Sequence, residues 1–424
     1  MSTLAEAKDL LRQGRIDDAE RMFERLLGQS PLDIEALNAV ALAALRKSDA
    51  RRALGLLEQA VALQPAESMS HYHLGRARAA NGDVQGSLVS YGTAVRLRPQ
   101  FHVARLHFAT TLDALGERLQ APVQYLRALQ DAQSQGQWHD PATTPRGLQA
   151  MVGRAVTCVR DAGKAMCAQL LEPLRAKYGA ASLLRIDQAV RIYVREVEPV
   201  YPDLRQRPTF FYLPGLPTAP YLDRALFPWI ASMESQTAAI RTELQALLPA
   251  ERGRERVFTS DEIESVNLRG HGSAPTWNGY YFFRYGERRE ENHQACPATS
   301  AALAGVDLCH IREHGPEVLY SVFTPGTHLL PHRGVTNTRL VAHLPLIVPP
   351  DCALNVGGEV HAWQEGRVVV FDDTYEHEAW NRSDRVRVVM LMDIWNPHLA
   401  EVERAAVADL VAAIGDFRKR VEQG

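Results

Sequence analysis

Two stretches decide the fold of the C-terminal half of this chain, PHRGVTNTRLVAH at residues 331–343 and FDDTYEHEAWNRSDRVRVVMLMDIW at residues 371–395. Each sets a histidine, His332 or His377, beside a short polar turn, and Arg387 stands at the head of an apolar run. Short apolar runs bounded by Gly, Pro and Asp turns are typical of β-strands. We therefore expect a β-rich domain in which the two histidines lie at neighbouring strand ends.

The residues around these stretches repeat the pattern of short apolar runs. Many short strands separated by turns fit an antiparallel barrel of the jelly-roll type, a double-stranded β-helix. A ligand pocket normally opens at the mouth of such a barrel. Strands are predicted at residues 208–213, 279–285, 317–323, 338–347, 353–356, 367–371 and 386–394, with helices at 221–248 and 297–303 and a charged loop at 287–296.

Two histidines in this setting indicate a metal site. Neutral imidazole binds iron, zinc, copper or nickel, and non-haem Fe(II) oxygenases usually hold iron with two histidines and one carboxylate. The near pair is usually His-x-Asp or His-x-Glu, but here Gly334 stands two positions after His332. A site built from His332 and His377 alone would leave most positions of the ion for a bidentate 2-oxo acid, dioxygen and water.

Arg387 is the residue expected to bind the far end of such an acid. A guanidinium group matches a carboxylate with two parallel hydrogen bonds. The plainer interpretation is that Arg387 pairs at the surface with Asp372 or Asp384. Its place ten residues after His377, before an apolar strand, favours a role in the pocket.

A dense, ordered set of residues around this pair carries a resemblance to a known family. The set consists of Tyr320-Ser321, Pro325-Gly326-Thr327-His328, Pro331-His332, Gly334, Thr336-Asn337, Arg339, His343-Leu344, Trp363, Gly366, Phe371-Asp372-Asp373, His377-Glu378, Trp380, Arg387, Asp393 and Trp395. With these residues, the region 208–399 resembles the catalytic domain of the aspartyl/asparaginyl β-hydroxylases, a branch of the Fe(II)- and 2-oxoglutarate-dependent dioxygenases. That family itself lacks the iron carboxylate, which agrees with Gly334.

The resemblance implies a role for each of five residues. His332 and His377 are expected to be the iron ligands, and no other residue is expected to be catalytic. Ser321 and Arg387 are expected to hold the distal carboxylate of 2-oxoglutarate, and His343 is expected to help at its other end. The implied reaction converts 2-oxoglutarate to succinate and carbon dioxide while it hydroxylates an unactivated carbon.

One position departs from the family's pattern. Some members carry a second arginine two residues before the equivalent of His343, where this chain has Val341. How the near carboxylate of 2-oxoglutarate is held is therefore open. Asp372 and Asp373 are expected to hydrogen-bond the turn that carries His377 rather than to bind iron themselves.

The N-terminal third repeats with a period of 34 residues. Proline recurs at positions 31, 65 and 99, a small residue at 19, 53, 87 and 121, and a bulky one at 23, 57, 91 and 125. A helix-turn-helix unit of this length resembles the tetratricopeptide repeat. About four such units are expected to stack into a short solenoid. Two roles stay open for it, which are the binding of a peptide or partner in its groove and packing without a specific ligand.

The polar, proline-containing segment after the repeats is expected to begin a linker. We predict a tetratricopeptide solenoid at residues 1–135, a helical linker at 136–205, a dioxygenase domain at 206–400 and a C-terminal helix at 401–424. Within the linker, helices are predicted at 150–159, 165–178 and 182–194.

The composition excludes several classes of protein. The chain has 424 residues, 46% of them hydrophobic and 23% charged, which is typical of globular proteins. A net charge of −3 argues against a general nucleic-acid binder, and no apolar run is long enough to span a membrane. Five cysteines without zinc-motif spacing and the lack of a signal-peptide pattern favour a cytoplasmic location. The excess of arginine over lysine is typical of high-G+C bacterial genes.

The sequence therefore predicts an Fe(II)- and 2-oxoglutarate-dependent hydroxylase, most simply one that β-hydroxylates Asp or Asn in a peptide or protein substrate. The repeats favour a peptide or protein, because a solenoid groove can hold an extended chain. Three alternatives stay open: a hydroxylase of a lipid acyl chain or small molecule, a non-catalytic repeat scaffold with a degenerate barrel, and a zinc or manganese enzyme with further protein ligands.

Overall fold

The structure is a computed structural model that describes residues 4–248, 254–258, 266–270 and 275–423. The chain divides into two compact units. One comprises Met1–Gly163 with Phe417–Gly424, and the other comprises Lys164–Asp416. Among the described helices, none combines the length and the apolar character needed to cross a bilayer.

Residues 4–134 form eight helices that pack as antiparallel pairs. The periodic small residues are buried where the helices cross, and the bulky series Phe23, Leu57, Tyr91 and Tyr125 fills the space between them. Asp33, Asp49 and Asp83 cap the N-termini of three helices by accepting main-chain N–H groups. The predicted tetratricopeptide-type solenoid is confirmed. The helices are α1 (Leu4–Arg12), α2 (Ile16–Gln29), α3 (Ile34–Arg46), α4 (Ala50–Leu63), α5 (Ser68–Ala80), α6 (Val84–Leu97), α7 (His102–Ala114) and α8 (Gln120–Ser134).

The helices after the repeats differ in part from the prediction. The two helices predicted at 150–159 and 165–178 are one continuous helix, because the residues between them do not break it. Within the predicted helix at 221–248, only a short 3-10 turn at Arg224–Leu226 precedes Ile230, where the α-helix begins, and the helix is interrupted at Gln236. The elements are α9 (Gln149–Tyr178), α10 (Leu184–Tyr193), α11 (Ile230–Ser235), α12 (Thr237–Leu247), α13 (Glu290–Ala295), α14 (Pro297–Leu303) and α15 (Glu401–Gln423).

Within the described residues, the strands of the second unit form two antiparallel sheets of seven and five strands. The larger sheet has the order β1-β3-β5-β12-β7-β10, with β4 paired to β3. Its strands are β1 (Arg254–Arg256), β3 (Trp277–Arg284), β4 (Glu287–Arg288), β5 (Val318–Phe323), β7 (Arg339–Ile347), β10 (Val369–Phe371) and β12 (Arg387–Trp395). The smaller sheet has the order β2-β6-β11-β8-β9. Its strands are β2 (Leu268–Gly270), β6 (Thr327–His332), β8 (Cys352–Val356), β9 (Glu359–Ala362) and β11 (His377–Asn381).

The alternation of side chains along the larger sheet decides what faces the interior. Even-numbered residues such as Tyr320, Leu344 and Met390 pack in one apolar cluster with residues of α12 and α14. Odd-numbered residues of the same strands face the smaller sheet and line a cavity between the two sheets. Ser321, His343 and Arg387 are all odd-numbered, so the alternation turns them toward the same space.

The predicted sheet-rich domain is confirmed, with local corrections. Residues 208–213 form no strand, because their main chain makes only a single bridge, from Phe211 to Thr336. The predicted charged loop at 287–296 contains β4 and α13. The prediction also missed β1, β2, β6, β9 and β11, which are short or carry polar residues that conceal the alternation. All five cysteines are free thiols.

Candidate active site

The two predicted metal ligands lie side by side in the smaller sheet. His332 is the last residue of β6 and His377 is the first residue of β11, and the two are directly opposite in the antiparallel pairing. Their ring centroids are 4.1 Å apart, with the ring planes tilted by 51°. Both side chains line the cavity between the sheets. The register of β6 and β11 therefore brings the two imidazoles within reach of one ion.

Each of the two rings is oriented by a hydrogen bond to the main-chain carbonyl group two residues before it. Nδ1 of His332 lies 2.8 Å from the carbonyl oxygen of Leu330, and Nδ1 of His377 lies 3.1 Å from that of Tyr375. A carbonyl oxygen only accepts, so Nδ1 carries the proton in both rings and Nε2 of a neutral ring keeps its lone pair. Burial and the neighbouring His332 lower the pKa of His377 to about 3. His377 is thus neutral at physiological pH, as a metal ligand must be.

Position 334 has no room for the carboxylate that many iron sites use. A Cβ atom on Gly334 would lie 2.2 Å from Cγ of Asp373, which is closer than any real contact. The carboxylate of Asp373 fills the space beside the backbone of Gly334, and the N–H of Gly334 donates to the carbonyl oxygen of Asp373 at 2.6 Å. Among the described residues, no cluster of three or more His, Cys, Asp or Glu side chains is placed to hold a metal ion. The described side chains therefore provide two candidate metal ligands at this place, His332 and His377.

Asp373 belongs to a buried ionic group with Arg339 and Asp393. The guanidinium of Arg339 donates to Asp373 and, at 3.1 Å, to Asp393. Burial alone would lower the pKa of Arg339, but the two carboxylates outweigh burial and raise the pKa. Oδ1 of Asp373 is buried without a hydrogen bond. This group joins β7 and β12 of the larger sheet to the turn that precedes His377.

Arg387 is a buried cation that has no counter-ion among the described side chains. Its side chain is 1% exposed, and its guanidinium carbon lies 3.6 Å from the ring centroid of Phe323 and 4.9 Å from that of Trp363. Nη1 donates to the carbonyl oxygen of Ser321 at 3.3 Å and to its hydroxyl at 3.4 Å, while Nε has no partner. It makes no ion pair with Asp372 or with any other described carboxylate, and burial lowers its pKa to about 9.

Other unpaired polar atoms surround Arg387. Both ring nitrogens of His343 and Nε1 of Trp363 are buried without a hydrogen-bond partner. His343 is 6% exposed, and burial, followed by the charge of Arg387, lowers its pKa well below the usual value. The indole N–H of Trp277 donates to the hydroxyl of Ser321 at 2.9 Å. Buried polar groups are normally satisfied, so this group of donors is a prepared site for a ligand with several oxygen atoms.

All five residues predicted for the site line one cavity of about 390 Å³. Sequence reasoning missed Trp277 and Phe323, which contact Ser321 and Arg387, and gave no role in the site to Trp363. It also missed Glu317, which lines the same cavity. The alternation of β5 could have identified it, because Glu317, Ser321 and Phe323 are all odd-numbered residues on one face of the strand.

Comparison with known proteins identifies the family of this chain. The sequence profile described as aspartyl/asparaginyl beta-hydroxylase matches residues 234–397, and that of the tetratricopeptide repeat matches residues 4–50 and 41–100. The aspartate beta-hydroxylase domain-containing protein 2 of Rattus norvegicus is 32% identical over 252 residues, which are 58% of this chain and 70% of that protein. This chain belongs to the aspartyl/asparaginyl β-hydroxylase family. The predicted resemblance is confirmed, and membership indicates an enzyme of the hydroxylase type.

The relatives within this family differ in their named substrates. The ornithine lipid ester-linked acyl 2-hydroxylase of Rhizobium tropici is 36% identical over 181 residues, which are 42% of this chain and 61% of that protein. The aspartyl/asparaginyl beta-hydroxylase of Homo sapiens is 32% identical over 179 residues, which are 42% of this chain and 22% of that protein. This chain thus spans less than two thirds of the length of either relative.

Proposed function

We propose that this protein is an Fe(II)- and 2-oxoglutarate-dependent hydroxylase that acts on Asp or Asn side chains of a peptide or protein. One observation carries the proposal. A buried arginine without a counter-ion, Arg387, lines the same cavity as two imidazoles, His332 and His377, whose Nε2 lone pairs are available. The two imidazoles can bind a metal ion, and the arginine can bind a carboxylic acid in the same cavity.

The acid fits because Arg387 lacks an anion. Burial of an uncompensated charge costs several kcal/mol, and proteins retain such charges where a ligand pairs with them. A carboxylate of 2-oxoglutarate would accept hydrogen bonds from the guanidinium and from the hydroxyl of Ser321. The indole N–H of Trp277 and the main-chain contact of Ser321 with Arg387 hold that hydroxyl in place.

The other end of the acid would lie near His343 and the histidine pair. His343 has two unpaired ring nitrogens, and its ring centroid lies 5.0 Å from that of Phe371, which in turn lies 5.7 Å from that of His377. Val341 offers no hydrogen bond to the near carboxylate. We propose that His343 and the ion hold this carboxylate between them.

The bound ion and 2-oxoglutarate would supply the oxidant that inserts oxygen into an unactivated carbon, with release of succinate and carbon dioxide. The residues of the chain would bind and orient the substrate and the 2-oxoglutarate, and they would exclude water from the cavity. None of them needs to act as an acid or base on the substrate. Phe323, Phe371 and the aliphatic residues of the cavity keep the reacting centre dry. Asp373 and Arg339 hold the turn beside His377 in place.

The substrate is proposed from the family and from the repeats. Membership favours an Asp or Asn side chain, and the tetratricopeptide solenoid favours a peptide or protein that it recruits. We keep the predicted cytoplasmic location as part of this proposal. A second candidate is an acyl chain, which the similarity to the Rhizobium tropici hydroxylase favours.

The test is an anaerobic titration. Protein that contains Fe(II) is mixed with 2-oxoglutarate, and the weak visible charge-transfer absorption of a chelated 2-oxo acid is measured. We expect the band in the native protein and its loss in both His332→Ala and His377→Ala. His139→Ala serves as a control, since His139 is an exposed histidine that does not line the cavity. A native protein without the band, and without succinate formation when oxygen is admitted, would favour the non-catalytic scaffold.

A further inference from the structure

The cavity continues beyond the space that 2-oxoglutarate needs. Arg387 is paired with Phe323 at one end of β5, whereas Glu317 precedes the other end of the same strand. At about 3.3 Å per residue, Glu317 lies roughly 13 Å from Ser321 along the strand. Both residues line the same cavity. Glu317 therefore marks the end opposite to Arg387, where a substrate would enter.

Glu317 presents one free acceptor to this end of the cavity. Its Oε1 accepts a hydrogen bond from the main-chain N–H of Tyr285 at 2.6 Å, and its own N–H donates to Asp393 at 3.0 Å. Within the described part of the chain, its second carboxylate oxygen has no hydrogen-bond donor and Glu317 makes no ion pair. Burial raises the pKa of Glu317 to about 7. A donor on the substrate is the partner that this oxygen lacks.

The arginines at this end are already neutralised. Arg339 bridges Asp373 and Asp393, and Arg284 pairs with Glu255. Among the described residues of the cavity, the remaining arginine is Arg387, which is assigned to the cosubstrate. The two positive charges of Fe(II) equal the two negative charges of 2-oxoglutarate. The three arginines Arg284, Arg339 and Arg387 face four carboxylates, which are Glu255, Asp373, Asp393 and Glu317. The described side chains of the filled site thus hold no spare positive charge for an anionic substrate group.

We infer that the side chain accepted by this site is the uncharged carboxamide of asparagine, with Glu317 as the residue that selects it. This inference rests on the proposed function and narrows its substrate. The amide N–H₂ group would donate to the free oxygen of Glu317. An aspartate in the same place would bring a second carboxylate against Glu317, in a cavity without a free cation, and like charges at such close range are strongly unfavourable.

The experiment uses two peptide libraries with the same randomised flanks, one with Asn and the other with Asp fixed at the centre. Binding to the Fe(II) and 2-oxoglutarate complex is measured without oxygen, and the gain of one oxygen atom is measured by mass spectrometry after oxygen is admitted. We expect the Asn library to bind and react at least about tenfold better than the Asp library. Glu317→Gln, whose amide can donate to a carboxylate, should bring the ratio to within about threefold, and Glu172→Gln, at an exposed glutamate, should leave it unchanged.

Each other outcome overturns the inference in a distinguishable way. Equal or better use of Asp by the native protein refutes the selection by charge and leaves the proposed hydroxylase intact. A native preference for Asn that persists in Glu317→Gln refutes the role of Glu317. Hydroxylation of acyl chains in lipid vesicles, with neither library bound, refutes the peptide substrate. Absence of the charge-transfer band refutes the proposed function itself.

Discussion

Arg387→Met should change stability and cosubstrate affinity in opposite directions. Burial lowers the pKa of Arg387 well below its usual value, to about 9, which corresponds to about 5 kcal/mol of unfavourable free energy for the buried cation. The guanidinium stays charged below about pH 9 in the folded and in the unfolded chain, so the whole penalty is present at neutral pH. Stacking on Phe323 and Trp363 offsets about 2 kcal/mol of it, and the hydrogen bonds to Ser321 offset about 1 kcal/mol. Methionine fills a similar apolar volume, so the ligand-free variant should be more stable by about 2 kcal/mol.

The same substitution should weaken the binding of 2-oxoglutarate. Removal of one partner of a buried ion pair costs about 3–5 kcal/mol, so Kd should rise by about two to four orders of magnitude. Urea unfolding of the metal-free protein measures the first effect, and the anaerobic titration measures the second. Arg382→Met is the matched control, because Arg382 also stacks on a ring, that of Trp380, but is exposed. A variant that is less stable and binds 2-oxoglutarate as tightly as the native protein would show that Arg387 has only a structural role.

Three further predictions concern neighbouring residues. Gly334→Ala should destabilise the protein by about 1–3 kcal/mol and abolish the charge-transfer band, because the new Cβ atom would collide with the carboxylate of Asp373. Gly305→Ala is the control and should have neither effect, because the nearest atom to its Cβ lies 3.9 Å away. Trp277→Phe removes the donor to Ser321 and should raise the Kd for 2-oxoglutarate by about fivefold, with no change in turnover at saturation; an unchanged Kd would argue against this contact. Since burial raises the pKa of Glu317 to about 7, the preference for Asn over Asp should increase from about pH 6 to about pH 8 and should stay flat in Glu317→Gln. The charged and titratable groups that share this end of the cavity are Tyr281, Arg284, Tyr285, His314, Arg339 and Asp393.

His332, His377 and Arg387 were predicted from the chemistry of their side chains, and the roles of Ser321 and His343 were predicted from the family resemblance. Strand alternation explains why Ser321, His343 and Arg387 share one face of the larger sheet. The tetratricopeptide helices could be predicted from the local sequence alone, since small and bulky residues recur there every 34 residues.

The remaining features depend on contacts between distant strands. Arg339, Asp373 and Asp393 join three separate segments, and no local pattern indicates that two carboxylates share one arginine. The close approach of Asp373 to Gly334 likewise exists only when β6 and β11 are paired. The continuous helix α9 was divided in the prediction because Gly163 lies in a polar stretch, where a helix interior and a break have similar sequences. Tertiary packing decides between such alternatives.

The two ligand rings are held by main-chain oxygens rather than by neighbouring side chains. A carbonyl group is present whatever residue occupies its position, so no point substitution at Leu330 or Tyr375 removes the acceptor. The orientation of the two imidazole rings therefore does not depend on which side chains occupy positions 330 and 375. The residues that line the cavity can therefore change while the orientation of the two proposed ligand rings is kept, so substrate preference and metal binding can vary independently in this fold.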